Sequence, residues 1–265
     1  MAPAAPPDAT GGVVLLGPSR RAGLSIIIPT LNEAKALPAT LKSIARMQPG
    51  GCDVIVVDAG STDETVTVAK AAGAKVIENA PRRRAAQMNI GARQAREENL
   101  VFLHADTPAP LDMAATIAAT LADQGTAAGG FVSIMRGQEK TRWLTSAHNY
   151  IKSYYAPLIF RPVAFVRGVR LLFGDQAIFC RARDFRAIGG FDPETPIMEE
   201  ADFVLRMVRS GRGRIRQIHR LIYSSDRRVA VWGGLKANLK YLEIGILWGL
   251  GVPGKRLHHR YPDVR

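Results

Sequence analysis

Asp58 closes the apolar run Val54-Ile55-Val56-Val57, and Ala59, Gly60, Ser61, Thr62 and Asp63 follow it. Four apolar, mostly β-branched residues running into an acidic, glycine-containing turn predict a buried parallel strand that ends at a ligand-binding loop. In open α/β sheets ligands gather at the carboxyl ends of strands, so Asp58 is placed to meet a bound molecule. The same residues would also make a turn and a helix N-cap. A second acidic position comes at His104-Ala105-Asp106, directly after Leu100-Val101-Phe102-Leu103. An imidazole and a carboxylate there could face a divalent cation, and Mg²⁺ or Mn²⁺ could then bridge diphosphate oxygens. The third is Glu199-Glu200-Ala201-Asp202, shortly after Gly189-Gly190-Phe191-Asp192. Carboxylates in the first turn of a helix meet its dipole favourably. Three of them in close succession also repel one another, which raises one pKa towards that of a general base. Spacing leaves both readings of this cluster open.

These groups need elements to hold them, and the hydrophobic pattern supplies an alternation. Strands are predicted over residues 24–28 (closed by Pro29), 53–57, 74–78 and 100–104. Helices are predicted over 37–47, 63–72 (with an Asp63 cap), 85–97 and 112–124. The order β-α-β-α-β-α-β-α argues for a parallel, doubly wound α/β sheet with right-handed crossovers. Beyond it, strands are read at 129–135, 176–181, 214–218 and 221–224, and helices at 141–155, 199–209 and 234–250. Residues 156–172 mix apolar residues with arginine, Pro157 and Pro162, and suit an ordered loop or a surface-seeking segment. Neither an internal repeat nor a low-complexity linker follows residue 22. One domain over 23–265 is expected, with a nucleotide half over about 23–125 and an acceptor half over about 126–265. The Ala-, Pro- and Gly-rich segment 1–22 reads as a disordered lead-in without the layout of a secretory signal.

The chain has 265 residues, 47% hydrophobic and 22% charged, enough for a real core. Lys and Arg total 36 against 23 acidic residues, a formal net charge of +13, with Arg82-Arg83-Arg84 as one cluster and more arginines between Arg161 and Arg228. An anionic partner fits this balance: a nucleotide diphosphate, an acidic lipid surface or a nucleic acid. A nucleic-acid module is disfavoured because no recognition helix, zinc spacing or stacking platform is visible. Cys52 and Cys180 form no metal-spaced pair, and a reducing cytoplasm fits. The apolar run 244–252 is short of the about 20 residues a bilayer span needs. The segment Ile159–Phe173 combines hydrophobic and cationic residues. It reads either as a loop touching the anionic inner face of a membrane, there to reach a lipid-linked or amphiphilic acceptor, or as a core cover whose arginines snorkel into water. Trp232 and Trp248 read as packed core or a homodimer contact in preference to interfacial anchors.

Taken in order, Ser25–Glu33, Val56–Asp63, Phe102–Asp106 and Gly189-Gly190-Phe191 with Glu199-Glu200 resemble the motifs of family 2 glycosyltransferases with the GT-A fold. The resemblance runs from about Leu24 to Arg209. Arg84–Asn89, Phe102–Thr107, Gly174–Phe179, Ser225–Arg228 and Leu250–Leu257 further resemble a small subgroup labelled arsenosugar-biosynthesis glycosyltransferases, a label that guides substrate choice poorly. The resemblance implies a Rossmann-like, mostly parallel sheet flanked by helices. It also implies inverting transfer of a sugar from a nucleotide-diphosphate donor to an acceptor hydroxyl, assisted by Mg²⁺ or Mn²⁺. On its terms Pro29, Thr30 and Glu33 form the first nucleotide loop, Asp58 reads the nucleobase, and Arg84 lies near the diphosphate. Asp106, with His104 and Ala105 beside it, would hold the metal. Glu200 would deprotonate the acceptor, with Glu199, Asp175 and Gln176 near donor sugar or acceptor.

Four positions depart from the family pattern. Ala59 stands where relatives carry Asp or Gly, His104 replaces the first Asp of a DxD motif, Glu200 replaces the usual Asp, and Leu31 replaces a common aromatic. An imidazole or substrate oxygens can replace a lost carboxylate ligand. A sugar-1-phosphate nucleotidyltransferase should open with a glycine-rich basic signature, which Pro29-Thr30-Leu31-Asn32-Glu33 is not. A nucleotide-sugar-binding scaffold without turnover and a basic protein that binds nucleic acid or an anionic surface are the remaining rivals.

Overall fold

A computed structural model describes residues 23–137 and 140–260; the segment 1–22, expected to be disordered, lies outside them. The first half alternates as the pattern predicts: β1 (Leu24–Thr30), α1 (Leu37–Ala45), β2 (Asp53–Asp58), α2 (Thr65–Ala71), β3 (Lys75–Ile77), α3 (Arg84–Gln94), β4 (Asn99–Phe102) and α4 (Met113–Ala122). Next come β5 (Thr126–Arg136), α5 (Trp143–Phe160), α6 (Pro162–Val166), a 3₁₀ turn at Gly174–Gln176, β6 (Phe179–Arg181), α7 (Ala182–Ala187) and α8 (Glu199–Arg209). The chain finishes with β7 (Arg214–Ser225), α9 (Arg227–Trp232), α10 (Gly234–Gly249) and α11 (Gly254–Leu257).

Seven strands form one sheet in the order β3-β2-β1-β4-β6-β5-β7. Pairings β1–β2, β1–β4, β2–β3 and β5–β7 are parallel, while β6 runs antiparallel to both β4 and β5. The two halves therefore share a single sheet and form one domain. Side chains alternate across it. Ile26, Ile28, Val56 and Val101 pack with Leu37, Leu41, Ile44, Met113 and Ile117 of α1 and α4. Ile27, Ile55, Val57 and Phe102 pack on the other face with Met88, Phe185, Phe203 and Val204 of α3, α7 and α8. Burial on both faces explains the unbroken Ile-Ile-Ile and Val-Ile-Val-Val runs, which a half-solvated strand would interrupt with polar residues. Gly91 lets α3 lie close on β1, since a Cβ there would sit 2.5 Å from Ile27 Cγ2.

Three expectations need correction. Pro29 does not close β1; the strand continues to Thr30, with Pro29 opposite Val57. Leu103 N–H donates to Ile27 O, so Ile27 and, two residues on, Pro29 turn their backbone towards β4, which has ended by then. The missing N–H thus costs no ladder bond. Residues 156–172 are not a loop throughout: α5 runs through Pro157 to Phe160, and α6 follows. The two short strands expected at 214–218 and 221–224 are one strand, β7, whose pairing with β5 is broken by a register shift between Gly130 and Val132.

Candidate active site

The carboxyl ends of β1 and β2 are stitched together by polar side chains. Asp58 is buried, and its Oδ1 accepts from Thr30 Oγ1 at 3.0 Å and from the Ser61 hydroxyl. Its Oδ2 accepts from the N–H groups of Gly60 (3.0 Å) and Ser61 (2.8 Å). A carboxylate offers about four lone-pair sites, so all are filled by the loop itself. Asp58 organises the turn, and a nucleobase N–H would have to displace one of these donors. Gly60, at φ +80°, supplies the left-handed turn that brings both N–H groups round. Asn32, also at positive φ, receives Thr62 N–H on Oδ1 and donates its own N–H to Ser61 Oγ. From α3, Gln87 Nε2 donates to Thr30 O and Val57 O, fastening both strand ends at once. Pro29 and Thr30 are therefore part of a fixed frame.

Around β4 the triplet His104-Ala105-Asp106 splits three ways. Ala105 is buried, and its carbonyl accepts from Thr40 Oγ1 of α1. His104 Nε2 lies 3.0 Å from Arg84 Nη1. With the guanidinium as donor, the ring proton sits on Nδ1. Asp106 turns to Arg227, the first residue of α9, whose Nη2 is 3.3 Å from Asp106 Oδ2 and 2.9 Å from Glu33 Oε2. The structure thus separates the two residues expected to share a metal. A dication at His104 Nε2 would be repelled by Arg84. Among the described residues no group of three or more His, Cys, Asp or Glu is placed to hold an ion. Mg²⁺ and Mn²⁺ sites in phosphoryl-bearing clefts, however, commonly use one or two carboxylates and complete their shell with substrate oxygens. Asp106, with 22% of its side chain exposed, fits that role and His104 does not.

Arg84 opens α3 and points into a second acidic group. Its Nε donates to Glu199 Oε1 at 2.8 Å, and its Nη2 lies 2.8 Å from Glu199 Oε1 and from Glu200 Oε1. Both glutamates are buried at the N-terminus of α8, and Glu200 Oε1 meets Arg84 Nη2 as an ion pair outside hydrogen-bond geometry. Burial raises the Glu200 pKa to about 8, helped by repulsion from Glu199, while Arg84 pulls it the other way. Two carboxylates on one guanidinium leave a surplus negative charge in a dry place, and a proton on Glu200 relieves it. Gly174 lies against this group: a Cβ there would be 2.6 Å from both Glu200 Oε1 and His104 Nε2. A Cβ at 174 would therefore press on the ends of both side chains, so the close approach and not a backbone angle favours glycine there.

The sequence motifs quoted around these residues turn out to hold their register. Asn89 of α3 donates from Nδ2 to Phe191 O and accepts Phe191 N–H on Oδ1, at 2.8 and 2.9 Å. Phe102, Phe185, Phe191 and Phe203 form an aromatic cluster with centroids 4.7–5.6 Å apart, joining the end of β4 to α7 and α8. Arg84 and the glutamates meet because α3 and the Gly-Gly-Phe loop are bolted together. Met198, just before Glu199, sits at φ +63°, a conformation non-glycine residues rarely adopt and one that collects near functional sites. Asp175 and Gln176 do not face this group. Asp175 is partly buried, accepts from Asn149 Nδ2 at 2.8 Å, and has its pKa raised by desolvation. Gln176 folds back on its own turn, its Oε1 accepting Phe173 N–H. Sequence reading gave no role to Gln87, Asn89, Gly174 or Arg227. Gln87 and Asn89 carried one signal, amides on the largely buried helix that Arg84 opens.

Comparison with known proteins follows the same geography. The model of "Glycosyl transferase family 2" matches residues 25–183. The "PGL/p-HBAD biosynthesis glycosyltransferase" of Mycobacterium bovis (strain BCG / Pasteur 1173P2) is 32% identical over 198 residues, 69% of this chain and 68% of that protein. A mannosyltransferase from Pyrobaculum calidifontis, solved with GDP-Man and Mn²⁺, superposes with a TM-score of 0.62 at 19% identity, covering 93% of this chain and 66% of that one. Glucosyl-3-phosphoglycerate synthase from Mycobacterium tuberculosis, solved with Mn²⁺, UDP and phosphoglyceric acid, gives 0.58 at 17% identity over 87% and 79%. Residues 1–349 of S. aureus TarS give 0.57 at 16% identity, over 84% of this chain and 65% of that one. At these identities the superpositions establish the fold, which is the GT-A type that the resemblance implied. The arsenosugar subgroup finds no support among these relatives.

Proposed function

The chain belongs to glycosyl transferase family 2, and from that premise we propose that it moves a sugar from a nucleotide-diphosphate donor to an acceptor hydroxyl, with inversion, using Glu200 as general base. The observation that carries this reading is the buried Glu199–Glu200 pair on Arg84, with the Glu200 proton affinity lifted into the working range of a base. In a single displacement the acceptor oxygen bonds to the anomeric carbon, the bond from that carbon to the diphosphate breaks, and Glu200 takes the hydroxyl proton. Arg84 then has two tasks. It holds Glu199 in place, and it offers positive charge towards the leaving diphosphate. Glu199 accepts two contacts from Arg84 on one oxygen and keeps the guanidinium aimed.

Thr30, Glu33 and Asp58 border the donor site, with Asp58 free to read the base when Ser61 turns its hydroxyl off Oδ1. A divalent cation held by Asp106 would neutralise charge on the diphosphate oxygens. Arg227 bridges Glu33 and Asp106 and would give up Asp106 to such an ion. The acceptor meets the protein on the side of Gly174, which lies close against the Glu200 carboxylate.

Thermal unfolding with UDP-, GDP- and dTDP-sugars, each with Mn²⁺ or Mg²⁺, tests the donor assignment. A donor present at about 100 times its Kd adds about 2.7 kcal/mol of stability. Failure of every nucleotide sugar to stabilise the protein would reject the proposal. Donor binding with no transfer to any hydroxyl acceptor, in wild type as in Glu200→Gln, would leave a binding scaffold instead.

A further inference from the structure

Helix α5 (Trp143–Phe160) is built inside out for a helix in water. Five of its seven buried residues are polar, Thr145, Ser146, Asn149, Lys152 and Ser153, and only Ala156 and Pro157 near its end are not. Its exposed positions are apolar. Leu144, Ile151 and Leu158 recur every seven residues and so share one stripe, and they are 78%, 54% and 51% exposed. The only charged residue in α5 is the buried Lys152. The inward polar face has reasons of its own, since Asn149 donates to Asp175 and Lys152 stacks 3.9 Å from the Phe173 ring. Nothing of that kind accounts for the outward face.

Neighbouring elements repeat the pattern. Val163 and Val166 of α6 project into solvent. In α10, Leu235, Leu239, Leu242 and Ile246 fall at helical spacing, and all four are exposed. Helices α5 and α10 pack together, with Phe160 against Gly249 and Arg161 Nη1 donating to Gly249 O at 2.8 Å. Two open grooves lie along α5 and α6. One of about 350 Å³ is lined by Tyr150, Tyr154, Leu158 and Phe165, and one of about 330 Å³ is flanked by Arg161, Arg167 and Arg209.

Charge decides what covers such a face. Between Lys140 and Gly174 the sequence contains no Asp or Glu, while Arg142, Arg161, Arg167 and Arg170 lie there. From Arg227 to Arg260 the only acidic residue is Glu243, against Lys236, Lys240, Lys255 and Arg256. A second copy of this chain would bring two basic faces together. An anionic bilayer offers hydrocarbon to the leucine stripes and phosphates to the arginines at the rim. We propose that the α5–α6–α10 face is a peripheral docking surface for an anionic lipid bilayer, with apolar side chains in the acyl boundary and the Arg161–Arg167–Arg209 groove on headgroup phosphate. Among the described residues no helix is long and apolar enough to cross a membrane, so attachment through this face is interfacial. The inference stands on exposure and charge and does not require the transfer reaction proposed above.

Co-sedimentation of the full chain with vesicles tests it. Vesicles of phosphatidylcholine with phosphatidylglycerol should bind the protein, and phosphatidylcholine alone should bind it at least about tenfold more weakly, with salt weakening the anionic case. The exposed pair Ile151→Glu/Leu158→Glu should abolish binding, and Arg167→Glu should weaken it about tenfold or more, both with unchanged circular dichroism and nucleotide-sugar binding. Wild type that ignores anionic vesicles overturns the proposal. So does a double variant that still binds them fully. A wild-type dimer that the double variant converts to monomer, without vesicle binding by either, would assign the face to self-association instead.

Discussion

Glu200→Gln should raise the stability of the protein while removing its activity, and the two effects come from the same buried charge. A carboxyl lifted from 4.5 to about 8 corresponds to a ceiling of about 5 kcal/mol between its two protonation states, taking roughly 1.4 kcal/mol per pH unit. Arg84, whose side chain is 32% exposed, brings solvent screening into the pair, and about 2 kcal/mol is the expected share in practice. The sign follows from linkage. The folded state binds this proton more tightly than the unfolded chain, so the stabilisation is intact below about pH 4.5 and is lost as pH rises through about 8. Glutamine imitates the protonated form and has nothing to lose. The melting temperature of the variant should match wild type near pH 5 and exceed it by about 4–8 °C at pH 9. Lys152, buried and depressed from 10.5 to about 8 by desolvation, acts with the opposite sign in the adjoining window, its burial penalty fading as pH rises from about 8 to 10.5. The wild-type profile alone therefore mixes the two, and the difference between variant and wild type isolates Glu200. Transfer, measured as released nucleoside diphosphate, should fall by about 10²–10⁴. A stability difference that does not change with pH, or a variant that keeps full transfer, would refute the reasoning.

For the same reason, kcat/KM of the wild type should rise with pH up to about 8, because the base must be ionised in the free enzyme; a flat profile from pH 5 to 9 would contradict it. Gly174→Ala places a Cβ 2.6 Å from both Glu200 Oε1 and His104 Nε2, and should cost about 1–3 kcal/mol in denaturant titration while donor binding survives and turnover collapses. Asn89→Ala strips both backbone partners from Phe191 and should lose about 1–3 kcal/mol, with a fall in kcat larger than the change in donor Kd. Arg227→Met releases Asp106 and Glu33, so calorimetry should show tighter binding of Mn²⁺ alone; unchanged affinity would remove Asp106 as the ion's seat.

The α/β alternation was legible in the chain alone, because strands buried on both faces must be continuous apolar runs such as Ile26–Ile28 and Val54–Val57, and helices between them must show a helical period. The sequence also singled out the polar strand ends, where Asp58 proves to hold the turn and the end of β1 together. It identified Glu199, Glu200 and Asp202 as a carboxylate cluster but could not choose between a favourable meeting with the helix dipole and a raised pKa. Burial against Gly174 and the sharing of one guanidinium decide that, and the guanidinium comes from a residue more than 100 positions away. His104 and Asp106 look equivalent along the chain. Only the tertiary structure sends one to Arg84 and the other to Arg227, because side chains two residues apart at the end of a strand answer to whatever packs over them. The inverted face of α5 was hidden for a related reason: a helical stripe of leucine reads as core until the fold shows which side is turned to the protein.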